Sequence, residues 1–129
     1  MTEQEINIAV SQACGWTHVR WAGCAIWGTK PNSEYSQLPD HWYAGCPDDR
    51  PNVPDYCHDL NAMWLVEEEH LLPAGIDEYA EHLYMVVEKF WTCERWVKFS
   101  RYSINHALSH ATAMQRAEAF LRVKGLWKE

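Results

Sequence analysis

Apolar and polar positions alternate along the chain in a pattern that predicts seven elements, in the order α-β-β-α-α-β-α. A capping-box pattern, Thr2-x-x-Glu5, opens the first of them, and apolar residues then recur at helical spacing. Gly15 stands where such a helix would end. This stretch predicts a helix over 3–14.

Residues 16–29 change to a period of two, which is typical of a half-buried strand. Thr17, Val19 and Trp21 fall on one face of the predicted first strand, and a short break at 22–23 separates it from a second. The pattern predicts a β-hairpin. Because aromatic side chains suit a pleated surface, we expect Trp16, Trp21 and Trp27 to cover one side of the sheet.

The middle of the chain predicts two helices. Asp59 is a suitable N-cap for the first, over 60–72, and Glu67–Glu69 are expected to be mostly solvated. A clear 3.6-residue apolar stripe predicts the second helix over 77–91. The residues of the first helix expected to face inward are Leu60, Met63, Trp64 and Leu71.

The sequence of the C-terminal part of the chain predicts two elements, and it leaves open whether the first is a strand or a helix. Over 95–108, alternation favours a strand, and a helix through Ala107 is the alternative. Thr112 and Gln115 form a second capping-box pattern, and Gly125 stands at the stop position. They predict a helix over 113–124, with Ala117, Phe120 and Leu121 facing inward.

Five of the six prolines lie within 30–55, which predicts a long Pro-rich loop. Because each amphipathic element must bury its apolar face against another, the fold class is α/β (α+β). We expect a small antiparallel sheet of about three strands and about four helices in a layered sandwich. Residues 1–129 form a single predicted domain.

Composition adds two features to this scaffold. Eight Trp, six Tyr and three Phe are more aromatic residues than a chain of 129 usually carries. The net charge is −7, with acids concentrated in 1–88 and bases in 89–129. The acidic total argues against general nucleic-acid binding, although the C-terminal third could present a basic face.

Cysteine usage and hydropathy bear on the setting. Five cysteines form an odd set without a CxxC pair, which argues against a disulfide framework and predicts small, partly buried free thiols. The first residues lack the basic start and apolar run of a secretory signal, and no stretch resembles a membrane span. The sequence predicts a cytoplasmic protein.

Several segments resemble the phage ABA-sandwich domain, a family of short phage and prophage proteins of unknown function. The resemblance implies a layered fold and a phage setting, and it implies no catalytic residues. The chain departs from the family pattern after Met63, in the loop 30–55 and over 91–110. The segments that carry the resemblance are Ile6-Asn7-x-Ala9, Ala13-Cys14-Gly15-Trp16, Pro54-Asp55-Tyr56, Asp59-Leu60-Asn61-Ala62-Met63 and the stretch 111–122.

None of the candidate catalytic or metal constellations matches a known pattern. Cys57 and His58 with His41 or Cys46 lack the spacing of a closed zinc site. The pair His106 and His110 lacks the Glu of a metalloprotease helix. We therefore predict no catalytic residues, no metal and no cofactor, and we predict that the protein is not an enzyme.

The aromatic surplus leaves three hypotheses. The preferred one is stoichiometric binding of a host protein, or assembly with further copies of the chain, since Trp, Tyr and Arg are enriched at protein–protein hot spots. The alternative is a counter-defence sponge that holds a nucleotide-type signalling molecule between stacked rings and basic side chains. A small hydrolase or nuclease is the third. The predicted ligand-binding residues are Trp21, Trp27, Trp42, Trp96, Arg95, Lys98 and Arg101.

Overall fold

The computed structural model describes residues 1–22, 25–31, 52–71, 76–88 and 109–129. Within them, four helices and a two-stranded antiparallel sheet confirm the predicted mixed α+β class. The predicted third strand over 95–108 and most of the loop 30–55 lie outside the described residues. The elements are α1 (Glu3–Ala13), β1 (Thr17–Ala22), β2 (Ala25–Thr29), α2 (Leu60–His70), α3 (Ile76–Glu88) and α4 (Ala113–Val123).

The helices begin where the capping residues predict. Thr2 and Thr112 each accept a hydrogen bond from the backbone of the third helical residue, whose side chain accepts one from the cap backbone in return. Asp59 caps α2 by accepting from the backbone of Asn61 and Ala62. These contacts satisfy N–H groups that a helix leaves without an internal partner.

The hairpin differs from its predicted pattern at one residue. Thr17 pairs with Thr29, whereas Arg20 pairs with Trp27, so β1 contains one more residue than β2 over the same distance. This is a β-bulge, and His18 lies within it with a φ of 54°. The bulge breaks the period of two, and so Thr17 does not share a face with Trp21.

The expectation that three tryptophans cover one side of the sheet is wrong for Trp27, because of the strand register rather than the bulge. Residues directly opposite each other in an antiparallel pair share a face. Trp21 lies opposite Ile26, while Trp27 lies opposite Arg20 on the other face. Trp16 packs with Val19 beside Gly28, on the face that carries Ile26.

The core lies where α4 packs against the other three helices, while α1 also contacts both strands. All three residues predicted to face inward from α4 are fully buried. On α3, the predicted stripe is buried at Tyr79, Ala80, Leu83 and Val86. The periodicity therefore identified the buried faces of both helices correctly.

Two expectations for α2 are wrong. Trp64 is 51% exposed, because Ala62, Met63 and Val66 define the buried face and Trp64 projects from the opposite side of the helix. Glu67 is not solvated like Glu68 and Glu69, since its carboxylate pairs with the Arg116 guanidinium at 2.8 Å. Only the three-dimensional arrangement of α2 and α4 shows this pair.

Candidate functional site

The segment 52–56 separates two clefts and runs beside β2. The Val53 N–H donates to the Ile26 carbonyl at 2.9 Å, and Asn52 forms a bridge with Trp27. Val53 and Tyr56 are buried, whereas Asn52 and Asp55 are exposed. The segment is thus hydrogen-bonded to β2, and different residues of it line each of the two clefts.

The first cleft, which we call the acidic cleft, lies between the start of α1, the hairpin and the segment 52–56. Its volume is about 390 Å³. The two charged residues among its described lining are both acidic, and the Trp21 side chain there is 46% exposed. The cleft is lined by Glu3, Gln4, Asn7, Trp21, Asn52 and Asp55, with Ala25, Ile26 and Val53.

Local structure brings these groups together. Glu3 and Asn7 are four residues apart on α1, so they lie on one face of the helix. Trp21 lies on the hairpin face that carries the buried Ile26. The acidic cleft therefore combines a helix face, a strand and an extended segment.

A hydrogen-bond network holds Asp55 in place. Asn7 Nδ2 donates to Asp55 Oδ1 at 3.1 Å, and Asn7 Oδ1 accepts from the Cys57 backbone N–H at 3.1 Å. His58 lies between the two carboxylates, with Nδ1 3.0 Å from Asp55 Oδ2 and Nε2 3.6 Å from Glu3 Oε1. The carboxylate positions are thus fixed by side chains from separate parts of the chain.

The second cleft, which we call the aromatic cleft, lies between α2 and the residues that flank the hairpin. It measures about 400 Å³. The side chains of Trp16 and Tyr56 both line it. Cys14, Trp16, Pro31, Pro54, Tyr56 and Leu65 supply its main apolar lining, with Lys30, Glu69 and His70 as its charged or titratable groups.

The described thiols are poor nucleophiles. Burial raises the pKa of both Cys14 and Cys57 to about 12, with nearby Glu69 adding to the effect at Cys14 and Asp55 at Cys57. Since the thiolate is the reactive form, both groups stay protonated near neutral pH. Both are free and buried, as the cysteine usage predicts, while Cys24, Cys46 and Cys93 lie outside the described residues.

The candidate metal ligands are only partly described. The part of the chain that the structure covers contains no group of three or more His, Cys, Asp or Glu side chains able to hold a metal ion. The Cys57 thiol donates to the Glu3 carbonyl at 3.6 Å. His41, Cys46 and His106 lie outside the described residues, and His110 is exposed.

Of the seven predicted ligand-binding residues, the structure describes two. Trp21 lines the acidic cleft, and Trp27 is half-buried on the opposite face of the hairpin, so the two indoles do not stack on one ligand. The other five lie outside the described residues, namely Trp42, Arg95, Trp96, Lys98 and Arg101.

Sequence reasoning did not identify Glu3, Asn7, Asn52 and Asp55 as companions of Trp21. The spacing of Glu3 and Asn7 on a predicted helix was a usable signal, because it places both on one face. No local pattern links that face to a segment about 50 residues further along the chain. The composition of the acidic cleft therefore depends on tertiary packing.

Comparison with known proteins finds no family model, no curated protein and no solved structure that matches this chain. The described residues also contain no helix with the length and apolar character needed to cross a bilayer. The resemblance to the phage ABA-sandwich family stays a prediction.

Proposed function

We propose that the protein acts by stoichiometric binding to a protein partner, either a host protein or a second copy of itself. The observation that carries this proposal is the exposed Trp21 indole beside the concave acidic cleft. Tryptophan is among the residues that most often dominate binding energy when a partner excludes water from them. An indole in this position offers apolar area next to fixed polar groups.

The chemistry of the clefts supports binding over bond-making. The thiol in the aromatic cleft is held protonated by burial, which removes the most nucleophilic group there. In the acidic cleft, the Asp55 carboxylate is already hydrogen-bonded to the side chains of Asn7 and His58. A group that is already held in position loses less conformational freedom when a partner binds.

The setting is part of the same proposal. We place the protein in the cytoplasm of a bacterial host, as a phage or prophage accessory protein with a role in counter-defence. The buried free thiols of Cys14 and Cys57 support a reducing compartment. The phage setting depends on the family resemblance in the sequence.

The nucleotide sponge receives less support at the described residues. Phosphate carries negative charge, and the cleft beside Trp21 is lined by Glu3 and Asp55. Like charges at short range disfavour binding. The basic residues predicted to hold a nucleotide lie outside the described part of the chain, so the sponge stays a prediction.

The test is complex formation by the full chain. Tagged protein would be expressed in bacteria, co-purified proteins identified, and each complex rebuilt from purified components and weighed by native mass spectrometry. We expect a complex of defined stoichiometry, and we expect Trp21→Ala to weaken it by roughly 30-fold or more, since a hot-spot truncation costs about 2 kcal/mol or more.

Trp64→Ala is the matched control, because the Trp64 side chain is exposed to a similar degree as that of Trp21. Trp64 lies on the far side of α2 from the face that lines the aromatic cleft. It should leave the affinity within about threefold of the wild type, as most interface-independent surface changes do. A chain that forms neither a rebuilt complex nor an oligomer would refute the proposal, and so would a complex that is insensitive to Trp21→Ala.

A further inference from the structure

We infer that the acidic cleft receives an arginine side chain of the protein partner. This inference rests on the proposed function, because it assigns the chemistry of the group that enters the cleft. It follows from three observations at one place: a cavity, an exposed indole and a lining whose described charges are all negative.

The size of the cleft suits a side chain rather than a flat contact. Its volume of about 390 Å³ falls in the range of pockets that enclose small ligands, about 300–1,000 Å³. Ile26 and Val53 supply buried apolar surface in the lining, which suits the methylene stem of a long side chain.

The charges select a cation. Glu3 and Asp55 contribute two carboxylates, and no Lys or Arg is present among the described lining residues. His58 contacts both carboxylates from outside the lining, and Asn7 donates to one oxygen of Asp55. Each carboxylate carries two oxygens and about four acceptor sites, so acceptor capacity remains on both groups.

The indole favours guanidinium over ammonium. A guanidinium is planar and weakly hydrated, so it stacks on an aromatic face while its N–H groups donate to carboxylates in fixed directions. A lysine ammonium is strongly hydrated and provides one compact charge. The side-chain amide of Asn52 adds a further carbonyl acceptor at the cleft.

The experiment uses the full chain and short capped peptides. The indole N–H resonance of Trp21, assigned by its loss in Trp21→Phe, would be followed during titration with acetyl-Gly-Arg-Gly-amide. The matched probe contains citrulline, which has nearly the same shape without the charge, and a third probe contains lysine. We expect saturable shifts with the arginine peptide and binding of the citrulline peptide that is weaker by about tenfold or more.

Two variants connect the binding to the carboxylates. Glu3→Gln should weaken binding of the arginine peptide by about three- to tenfold, and Asp55→Asn should weaken it further. Asp55 also anchors Asn7, so Glu3→Gln serves as the variant least able to disturb the fold. Glu68→Gln, an exposed change on α2, is the control and should leave the affinity unchanged.

The outcomes separate this inference from the proposed function. Equal binding of the arginine and citrulline peptides would overturn the inference, as would preference for lysine or the absence of a Trp21 shift. If the peptide results overturn the inference but a rebuilt complex still depends on Trp21, the proposed function stands and a different group of the partner occupies the cleft. If no complex forms, the proposed function itself fails.

Discussion

At the scale of single residues, the Arg116 guanidinium is a tightly constrained polar group. Its side chain is 5% exposed, and it donates to Glu67 Oε1 at 2.8 Å and to the Ala111 carbonyl at 3.3 Å. The Tyr79 hydroxyl donates to the same carboxylate oxygen at 2.5 Å. One interaction network thus joins α2, α3 and α4.

We expect Arg116→Met to lower the free energy of unfolding by about 3 kcal/mol, because it leaves the Glu67 carboxylate in a poorly solvated place without its cation. Urea unfolding followed by tryptophan fluorescence would measure this loss. Glu68→Gln should change stability by less than about 0.5 kcal/mol, as an exposed substitution does.

The double variant Arg116→Met with Glu67→Leu tests the physical reason. Replacing both members of a buried pair by apolar residues is often neutral, so part of the loss should return, reduced by the cost of leaving the Tyr79 hydroxyl without its acceptor. A double variant as unstable as Arg116→Met alone would contradict the explanation by uncompensated charge and would indicate a packing defect.

The buried thiols give the protein a defined response to alkali. Burial raises the pKa of both the Cys14 and the Cys57 thiol in the folded protein from an ordinary value of 9.0 to about 12. The unfolded chain therefore releases these protons first, and stability falls as the pH rises from about 9 towards 12. We expect about 1 kcal/mol of loss per thiol for each pH unit above 9, measured as urea midpoints between pH 8 and pH 11.

Cys14→Ala should flatten this dependence, since it removes one of the contributing groups among the described residues. Burial likewise raises the pKa of Tyr56 and Tyr79, and those hydroxyls add to the slope at higher pH. Equal slopes for the wild type and Cys14→Ala between pH 9 and pH 10 would show that the Cys14 thiol is not the responsible group.

At the scale of elements, the hairpin shows why local patterns predict a strand better than its faces. Period-two alternation correctly predicted β1 and β2, but one extra residue at His18 shifts every position before it to the other face. His18 Nδ1 and Thr29 Oγ1 lie 3.2 Å apart across the sheet, which stabilises the bulged arrangement. No composition signal in 16–29 marks that position.

Gly28 on β2 leaves little room for a side chain. A Cβ there would lie 3.2 Å from Trp16 Cε3 and 3.3 Å from both Val19 Cγ2 and Val53 Cγ2. We expect Gly28→Ala to destabilise the protein by about 1–2 kcal/mol, because β2 is held between Trp16 and the segment that forms the clefts. Chemical denaturation would measure the loss.

A second readout distinguishes local from global damage. If the crowding acts through Trp16 and Val53, Gly28→Ala should also shift the resonances of residues that line both clefts. If Gly28→Ala left the free energy of unfolding unchanged, that result would contradict the close packing around Gly28. Gly125→Ala is a useful comparison, because a Cβ there would meet no other described residue within 4 Å beyond its chain neighbours, so the expected cost comes from its φ of 72°.

At the scale of the whole molecule, α4 is the element on which the described helices converge. Phe120 is fully buried within it. We expect Phe120→Ala to lower the free energy of unfolding by about 3–5 kcal/mol, a large part of the roughly 5–15 kcal/mol typical of such domains. Thermal unfolding by circular dichroism would show a lower midpoint for the entire helical signal.

Leu126→Ala is the matched control, since Leu126 follows α4 and is 43% exposed. It should change the midpoint by only one or two degrees, roughly what a few tenths of a kcal/mol produce. A Phe120→Ala variant that loses only part of its helical signal, with the remainder melting as in the wild type, would contradict a single core centred on α4.

The sequence by itself determined the elements that the structure describes. Capping residues predict where α1, α2 and α4 begin. Apolar spacing predicts the two hairpin strands and the buried faces of α3 and α4. Each of these signals lies within a few residues of the structure that it predicts, because capping and amphipathic spacing are local effects.

Tertiary structure alone decided which residues meet. Glu67 pairs with Arg116, and Trp21 lies beside Glu3 and Asp55, although these positions are far apart in the chain. The exposure of Trp64 likewise depends on which face of α2 the rest of the fold covers. The packing angles and the single bulge that create them are settled by how whole elements fit together, so no local pattern encodes them.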